Sequence, residues 1–308
     1  MRKGDMKATR REWLGMIAAG TALSAGTGGC RTALREVALP RRKGGLKVRF
    51  LGTGAADWCG PRTTGEWRRL TSVLLDDCVL IDFRLSATEV LPKGTVPEIV
   101  FYTHSHGDHY NPDDAVRLGV KRVYCGDSWA DDAAKELSAA AAKAGKSAPD
   151  VIPLRIGEKV RVGNLSFTAL PANHMTGRDG EQTLIFLVEK GPVRLLYATD
   201  TGGIVGRAAR LAGIDAHTEG EGITALIMEA TMGIGHDDDY RIFNHSSVGD
   251  VARTVRVLKE AGRYRPRTPG QKVYLTHMAR SLHGTQNEIA AAVPSPLAPA
   301  YDGLEVEL

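Results

Sequence analysis

Cysteine is scarce in this sequence of 308 residues, and its scarcity argues against two kinds of small scaffold. The cysteines are widely spaced, a pattern that does not indicate a disulfide framework: Cys30, Cys59, Cys78 and Cys125. No two of them form a Cys-x-x-Cys pair, so a structural zinc knuckle is not indicated either. The chain is 43% hydrophobic and 25% charged, a balance typical of a globular protein with a sizeable core.

The sequence also lacks a strong excess of charge of either sign. It contains 40 basic and 36 acidic side chains, for a net charge of +4, and residues 1–29 carry five of the basic and two of the acidic groups. The rest of the chain is therefore close to neutral. Because nucleic-acid binding depends on basic groups that neutralise phosphates, we expect no nucleic-acid partner.

The N-terminus has the pattern of a targeting segment. Residues 1–12 are basic and polar, and residues 13–29 are small and apolar. This apolar run is too short and too rich in glycine to cross a bilayer of about 30 Å, so residues 1–29 are predicted to be a signal peptide. The junction that contains Arg10 and Arg11 resembles a twin-arginine signal, which would export the folded protein to the bacterial periplasm.

Cys30 leaves two alternatives for the mature N-terminus. It follows two glycines, and this junction resembles a lipoprotein cleavage site, where the cysteine would be lipidated and would anchor the protein at the outer face of the inner membrane. In the alternative, the signal is cleaved and Cys30 is an incidental residue. Residues 30–45 contain several arginines and glycines and are predicted to be a basic tether.

Strand-like and helix-like segments alternate from residue 46 onward. The pattern predicts helices at residues 127–146, 246–261 and 286–292. It predicts strands at residues 47–51, 72–76, 78–82, 98–103, 121–125, 165–170, 182–188, 193–198, 224–228, 272–276 and 304–308. This order predicts an α/β protein in which two β-sheets pack face to face with helices outside. One domain over residues 46–308 is expected, because the candidate ligands described next come from both halves.

The run THSHGDHY at residues 103–110 concentrates metal-binding side chains just after a predicted strand. His104 and His106 can point at one position, and Asp108 and His109 can point at a second position nearby. The glycine between the two pairs lets the loop turn sharply. Neutral imidazole is a ligand for zinc, iron and nickel, and a carboxylate adds charge neutralisation. The run therefore predicts a metal site.

Three polar residues further along the chain can supply the remaining ligands. Each comes shortly after a predicted strand: His174, Asp200 and His277. Taken singly, each of them can equally be a structural residue with a satisfied hydrogen bond. Together they complete a recognisable order of ligands.

That order resembles the metallo-β-lactamase superfamily, in which an HxHxDH run is followed by a lone histidine, an aspartate after a strand and a late histidine. The resemblance covers residues 47–308 and implies an αββα sandwich of two mixed β-sheets flanked by helices. It implies two divalent metal ions as cofactors, Zn²⁺ or alternatively Mn²⁺ or Fe²⁺. It also implies their ligands: His104, His106 and His174 for one ion, Asp108, His109 and His277 for the other, and Asp200 as the bridge.

Within that superfamily the sequence resembles a phosphodiesterase branch, which includes a phosphoribosyl cyclic phosphate phosphodiesterase and, more distantly, the tRNA 3′-processing endonuclease. The likeness is carried by residues 51–56, 275–277 and 300–305. In that branch a histidine ahead of a helix assists catalysis, and His245 stands at this position; alternatively, His245 caps the helix or makes a structural hydrogen bond. Asp108 is assigned a catalytic role beside His245, and Glu229 is a candidate partner of the ligands.

The sequence departs from the phosphoribosyl enzyme in its cysteines. That enzyme carries an extra zinc ion bound by cysteine near its N-terminal loop, whereas this chain has only Cys59 there, and Arg280 stands where a further histidine would help. The extra zinc ion is therefore not expected. The long basic arm that grips tRNA is not evident either. Arg68 and Arg69 are candidates to bind phosphate; alternatively, they are ordinary surface arginines.

The resemblance favours a dinuclear metal-dependent hydrolase that acts as a phosphodiesterase on a small or cyclic phosphate ester. A hydroxide that bridges the metal ions would attack phosphorus, and His245 would donate a proton to the leaving oxygen. A small-molecule phosphate ester is the expected partner. Two alternatives stay open: an acyl hydrolase, such as a lactamase, lactonase or thioesterase, and a non-catalytic binding or maturation protein on the same fold.

Overall fold

The structure, a computed structural model, describes residues 44–59, 66–217 and 219–308. The predicted signal peptide at residues 1–29, the lipidation of Cys30 and residues 30–43 of the predicted tether lie outside the described residues. Within the described ranges, none of the helices has the length and apolar character needed to cross a membrane.

The described strands form two sheets of seven strands each. The first sheet has the order β14-β1-β2-β3-β4-β5-β6 and consists of β1 (Lys47–Gly52), β2 (Ser72–Leu75), β3 (Val79–Ile81), β4 (Ile99–Phe101), β5 (Arg122–Gly126), β6 (Asp150–Leu154) and β14 (Glu305–Glu307). The second has the order β13-β12-β11-β10-β9-β8-β7 and consists of β7 (Lys159–Val162), β8 (Leu165–Pro171), β9 (Leu184–Lys190), β10 (Val193–Ala198), β11 (Ala225–Glu229), β12 (Val273–Thr276) and β13 (Leu297–Pro299).

Both sheets mix parallel and antiparallel strands. Strands β3 to β6 pair in parallel in the first sheet, and strands β10 to β13 do so in the second. The remaining pairs are antiparallel, including the hairpin of β2 and β3. Asp76 and Asp77 form the turn of that hairpin, both with positive φ. Because parallel strands end at the same edge of a sheet, loops that follow them can converge on one site.

Helices cover the outer face of each sheet. The described α-helices are α1 (Pro112–Leu118), α2 (Ala130–Ala144), α3 (Gly206–Leu211), α4 (Val248–Glu260) and α5 (Gln286–Ala292). Buried side chains of α1 and α2, such as Val116 and Leu137, pack on the first sheet, and those of α3 and α4, such as Ala208 and Val251, pack on the second. Helix α4 begins with a capping box, in which the Ser247 hydroxyl accepts from the Asp250 backbone and the Asp250 carboxylate accepts from the Ser247 backbone.

The central core lies between the two sheets. Phe101 of the first sheet stacks on Tyr124 of the same sheet at 4.3 Å between ring centroids and on Phe167 of the second sheet at 4.0 Å. The edge of Phe186, also from the second sheet, meets the Phe101 ring at 5.7 Å. With helices on both outer faces, the layers are helix, sheet, sheet and helix. The predicted αββα sandwich of two mixed sheets is therefore confirmed.

Three short strands and two short α-helices were not predicted from the sequence. They are the strands β6, β7 and β13 and the helices α1 and α3. Strand β6 contains Pro153 and lies at a sheet edge, where a strand needs no continuous apolar pattern. Helices α1 and α3 have seven and six residues and were not recognised by period, although α1 carries a local signal in the Asn111 cap, the Pro112 that follows it and the left-handed Gly119 at its end.

Replacing Phe101 by alanine should lower the free energy of unfolding by about 3–5 kcal/mol, because the ring is packed between the sheets and leaves a cavity when removed. Chemical denaturation followed by circular dichroism measures this change. Val257→Ala is the control: Val257 is 49% exposed, so its loss should change the free energy by less than about 0.5 kcal/mol. Equal losses in both variants would contradict a central role for Phe101.

Candidate metal centre

The predicted ligands meet at the edge where strands of both sheets end. Residues 103–110 follow β4 of the first sheet, whereas His174, Asp200 and His277 follow β8, β10 and β12 of the second. The chain turns sharply at two of these positions, where Asp200 has a φ of 47° and His277 a φ of 52°. Residues other than glycine rarely adopt this left-handed conformation, so the fold holds both side chains in place against a local preference.

The first predicted ligand set is a triangle of imidazole nitrogens. His104 Nε2 lies 3.0 Å from His106 Nδ1, and His174 Nε2 lies 3.1 Å from the same atom. Two of the nitrogens come from the loop after β4, and the third comes from the other sheet. The structure therefore brings these three side chains together as the resemblance implies.

The second predicted ligand set lies beside the first. His277 Nε2 is 3.1 Å from His109 Nε2 and 3.3 Å from Asp108 Oδ2, and the latter two atoms are 3.2 Å apart. Asp200 Oδ2 lies 2.8 Å from His109 Nε2 and 3.3 Å from His277 Nε2, and Asp200 also forms a possible ligand group with His104 of the first set. Asp200 therefore occupies the position expected of a bridge.

Hydrogen bonds on the far side of the rings determine which nitrogen of each histidine faces inward. His109 Nδ1 donates to Asp82 Oδ2 at 2.7 Å, and His174 Nδ1 donates to the backbone oxygen of Asn244 at 3.1 Å. Both acceptors lack a proton to give, so Nδ1 carries the ring proton in each case. Nε2 is then the nitrogen that points into the site.

Two threonines orient the rings of His104 and His277 in the same way. Thr103 donates its hydroxyl proton to Asp82, so it accepts from His104 Nδ1 at 2.9 Å. Thr231 donates its proton to Glu229, so it accepts from His277 Nδ1 at 2.8 Å. Nε2 of both histidines is left as an inward-facing acceptor.

This donor set fits divalent cations. Imidazole nitrogens and carboxylate oxygens converge at 2.8–3.3 Å, and two such acceptors at this distance need a proton or a metal ion between them. Four ligands about 2.0–2.1 Å from a tetrahedral zinc ion would be separated by about 3.3 Å. Imidazole and carboxylate also suit manganese and iron, so the geometry leaves the identity of the metal open.

The local charge favours cations in this position. Burial alone would lower the pKa of His109, but the carboxylates of Asp200, Asp108 and Asp82 raise that pKa well above its usual value. Burial would raise the pKa of Asp108, but the imidazoles of His109 and His277 bring it well below its usual range. Ionised carboxylates thus surround the second ligand set and provide negative potential where a cation would sit.

Asp82 and Thr231 are supporting residues that the sequence analysis missed. Asp82 is fully buried and connects the Thr103 backbone and hydroxyl to the His109 ring. A signal for Asp82 was available, because it directly follows an apolar strand in the same way as Asp200. Thr231 has no such signal, since its role depends on the packing of Glu229 beside His277.

His245 lies at the rim of the ligand cluster. Its Nδ1 is 3.1 Å from Glu229 Oε2 and 3.6 Å from Asp200 Oδ1. Burial would lower the pKa of His245, but the carboxylates of Glu229 and Asp200 raise it to about 9. The helix-cap alternative for His245 is wrong, because Ser247 caps α4. Its hydrogen bond to Glu229 is compatible with either a structural or a catalytic role.

A pocket of about 310 Å³ opens above the ligands, large enough for a small molecule. Its lining includes the predicted ligands His106, Asp108, His174, Asp200 and His277, together with His245, Thr231, Asp57, Arg241, Ser281 and three alanines. Sequence reasoning did not single out Arg241, which stands in a polar stretch without a motif.

Neither of the two arginines predicted to bind phosphate lines this pocket. Arg68 is 4% exposed and donates to the Thr53 hydroxyl at 2.9 Å and to the Ala300 backbone at 3.1 Å. Arg69 donates to the Ser86 backbone at 3.0 Å and pairs with Glu89 and Asp302. Both the phosphate prediction and the surface alternative are wrong for Arg68, which joins segments far apart in the sequence.

Comparisons with known proteins agree with the fold. The family model described as "Beta-lactamase superfamily domain" matches residues 73–278. The sequence matches no curated protein at a significant level.

Three solved structures share the architecture at low sequence identity. The metallo-beta-lactamase fold protein YhfI from Bacillus subtilis is 17% identical, with 85% of this chain and 99% of that chain covered and a TM-score of 0.60. Human tRNase Z, short form, is 17% identical, with 85% of this chain and 98% of that chain covered and a TM-score of 0.58. Zn²⁺-bound PqqB from Methylobacterium extorquens is 15% identical, with 85% of this chain and 100% of that chain covered and a TM-score of 0.56. At such identities these likenesses show the fold alone.

Replacing Asp82 by asparagine should weaken metal binding about 10- to 100-fold, because the amide no longer supplies the charged acceptor that orients His109. Competition with a chromogenic zinc chelator measures the affinity. Asp113→Asn is the control, because Asp113 forms a surface ion pair with Lys143. An unchanged affinity in the Asp82 variant would contradict its orienting role.

Proposed function

This chain belongs to the β-lactamase superfamily, and we propose that it is a dinuclear metal-dependent hydrolase that cleaves a small or cyclic phosphodiester. The observation that supports this proposal most directly is the shared carboxylate. Asp200 contacts His109 and His277 of the second ligand set through Oδ2, forms a possible ligand group with His104 of the first set, and faces His245 with Oδ1. A proton donor thus stands beside a site for two cations.

Two bound divalent cations would supply Lewis acidity and lower the pKa of a water molecule. The chain itself supplies their positions. Asp108, His109 and His277 come from both sheets, so neither cation site can form before the sheets pack together.

In this proposal His245 protonates the departing oxygen. Hydrolysis adds the oxygen of one water molecule to phosphorus and breaks one P–O ester bond. His245 would give its proton to the leaving oxygen and regain one from the attacking water, which balances the reaction. Glu229 holds the His245 ring through Nδ1, so Nε2 is the nitrogen that can face a substrate.

Location is part of the same proposal. The twin-arginine-type signal over residues 1–29 would deliver the folded protein to the periplasm, and lipidation of Cys30 would hold it at the membrane. Small phosphate esters are suitable substrates there, whereas tRNA is not expected in that compartment.

A panel of substrates tests the proposed reaction. With added zinc or manganese, the protein should hydrolyse bis-p-nitrophenyl phosphate in preference to a chromogenic cephalosporin and a simple lactone. His106→Ala should abolish this activity, because it removes one corner of the first ligand set. The exposed His217 provides the control His217→Ala, which should retain it. Turnover of the cephalosporin or lactone alone would indicate an acyl hydrolase instead.

The role of His245 as a proton donor can be tested with two substrates that differ in their leaving groups. His245→Asn should slow the hydrolysis of diphenyl phosphate by about 10²–10⁴-fold, the usual contribution of a general acid. The loss should be much smaller with bis-p-nitrophenyl phosphate, because p-nitrophenolate leaves without help. Steady-state kcat for both substrates measures the difference. Equal losses for the two substrates would show that His245 acts only by supporting the site.

A further inference from the structure

The segment Tyr240–Phe243, which we call the wall, contributes Arg241 to the lining of the pocket and leads into Asn244, which is fixed directly to the predicted ligand His174. The Asn244 backbone oxygen accepts from His174, and the Asn244 side chain accepts from the Met175 backbone at 3.1 Å. Gly202 allows this close approach, because a Cβ there would lie 2.1 Å from the backbone oxygen of Ile242. The segment is therefore held in position relative to the metal centre.

Arg241 is the cation of this wall. Among the described residues that line the pocket, it is the sole lysine or arginine. Asp239 accepts from Arg241 Nε at 2.8 Å and from Nη2 at 2.6 Å. Both bonds use one edge of the guanidinium and fix its orientation, while the edge that carries Nη1 stays available to an anion.

Exposed apolar side chains cluster on the same two segments. Among the described residues, the large hydrophobic side chains most exposed to solvent include Tyr240 at 81%, Met175 at 76% and Phe243 at 71%. Single exposed apolar residues are ordinary, but these three lie outside the lining and within two positions of the lining residues His174, Arg241 and His245 in the sequence, where together they offer a binding surface. Met175 follows the ligand His174, and Phe243 precedes His245 by two positions.

Small side chains also line the pocket. Ala55, Ala56 and Ala279 leave room there for a planar group. Asp57 follows two of these alanines in the sequence, and its carboxylate is already bound by the backbone of Arg280 and by Ser281. The lining thus combines one guanidinium with small apolar side chains, and the exposed aromatic rings lie outside it.

We propose that this wall selects phosphodiesters that carry an aryl or similarly planar apolar ester group. Arg241 binds a non-bridging phosphate oxygen, and Phe243 with Met175 covers the planar group. This inference rests on the proposed phosphodiesterase function, because it assigns the substrate class of that same site.

Binding of phosphinates, which have P–C bonds and cannot be hydrolysed, tests the wall independently of turnover. The metal-loaded protein is titrated with diphenylphosphinate and with dimethylphosphinate by calorimetry. Phe243→Ala should weaken diphenylphosphinate about five- to tenfold and leave dimethylphosphinate unchanged, because only the former presents a ring. Arg241→Gln should weaken both about 10- to 100-fold.

Two surface variants on α4 serve as matched controls. Val257→Ala removes a half-exposed apolar group, and Arg256→Gln removes an arginine that pairs with Glu260 on the surface. Neither should change the affinity for either phosphinate. A Phe243 variant that binds both phosphinates like the parent protein would overturn the proposed ester preference, and an Arg241 variant that does so would overturn the proposed anion contact.

Other occupants of the wall would give different results. Loss of a dimer in light scattering, or loss of binding to phosphatidylglycerol vesicles, caused by Phe243→Ala without a change in phosphinate affinity would overturn the proposal. Discrimination between the two phosphinates by a protein that hydrolyses no phosphodiester would refute the proposed function, while the anion and ring contacts would stand.

Discussion

The site depends on one electrostatic constraint: nitrogen and carboxylate lone pairs from two sheets point at one another inside the protein. Each inward nitrogen of His104, His109, His174 and His277 is fixed by a hydrogen bond on the opposite side of its ring. Such an arrangement is unfavourable until a proton or a metal ion is shared among these atoms. The supporting bonds, the sharp turns at strand ends and the packing of the sheets all serve to hold it.

Much of the fold and of the ligand cluster could be predicted from the sequence. The central strands are continuous apolar runs, and each predicted ligand stands where such a run ends, so pattern and chemistry agreed at Asp200 and His277. Edge strands such as β6 do not need that pattern, because tertiary packing completes them. Helix α1 was missed for another reason: its signal is in its ends, where Asn111 caps it and Gly119 closes it, and not in an apolar period.

The specificity of the site was much harder to predict, and the arginines show why. Arg68 and Arg69 follow a glycine turn, as phosphate-binding residues often do, yet folding gives them protein partners such as Thr53 and Asp302. Arg241 has no motif around it, but Asp239 orients it at the pocket. A charged side chain gains its role from the groups that fold around it, and a single sequence does not contain those distances.

The origin of the ligands in both sheets has a consequence for the lifetime of the protein. An ion held by His109 from one sheet and His277 from the other acts as a removable crosslink between the two layers. A ligand that binds only the native state at 100 times its Kd adds about 2.7 kcal/mol to stability. Resistance to heat and to proteases would then depend on the concentration of metal ions around the protein. A shortage of metal would therefore shorten the lifetime of the folded protein as well as remove its activity.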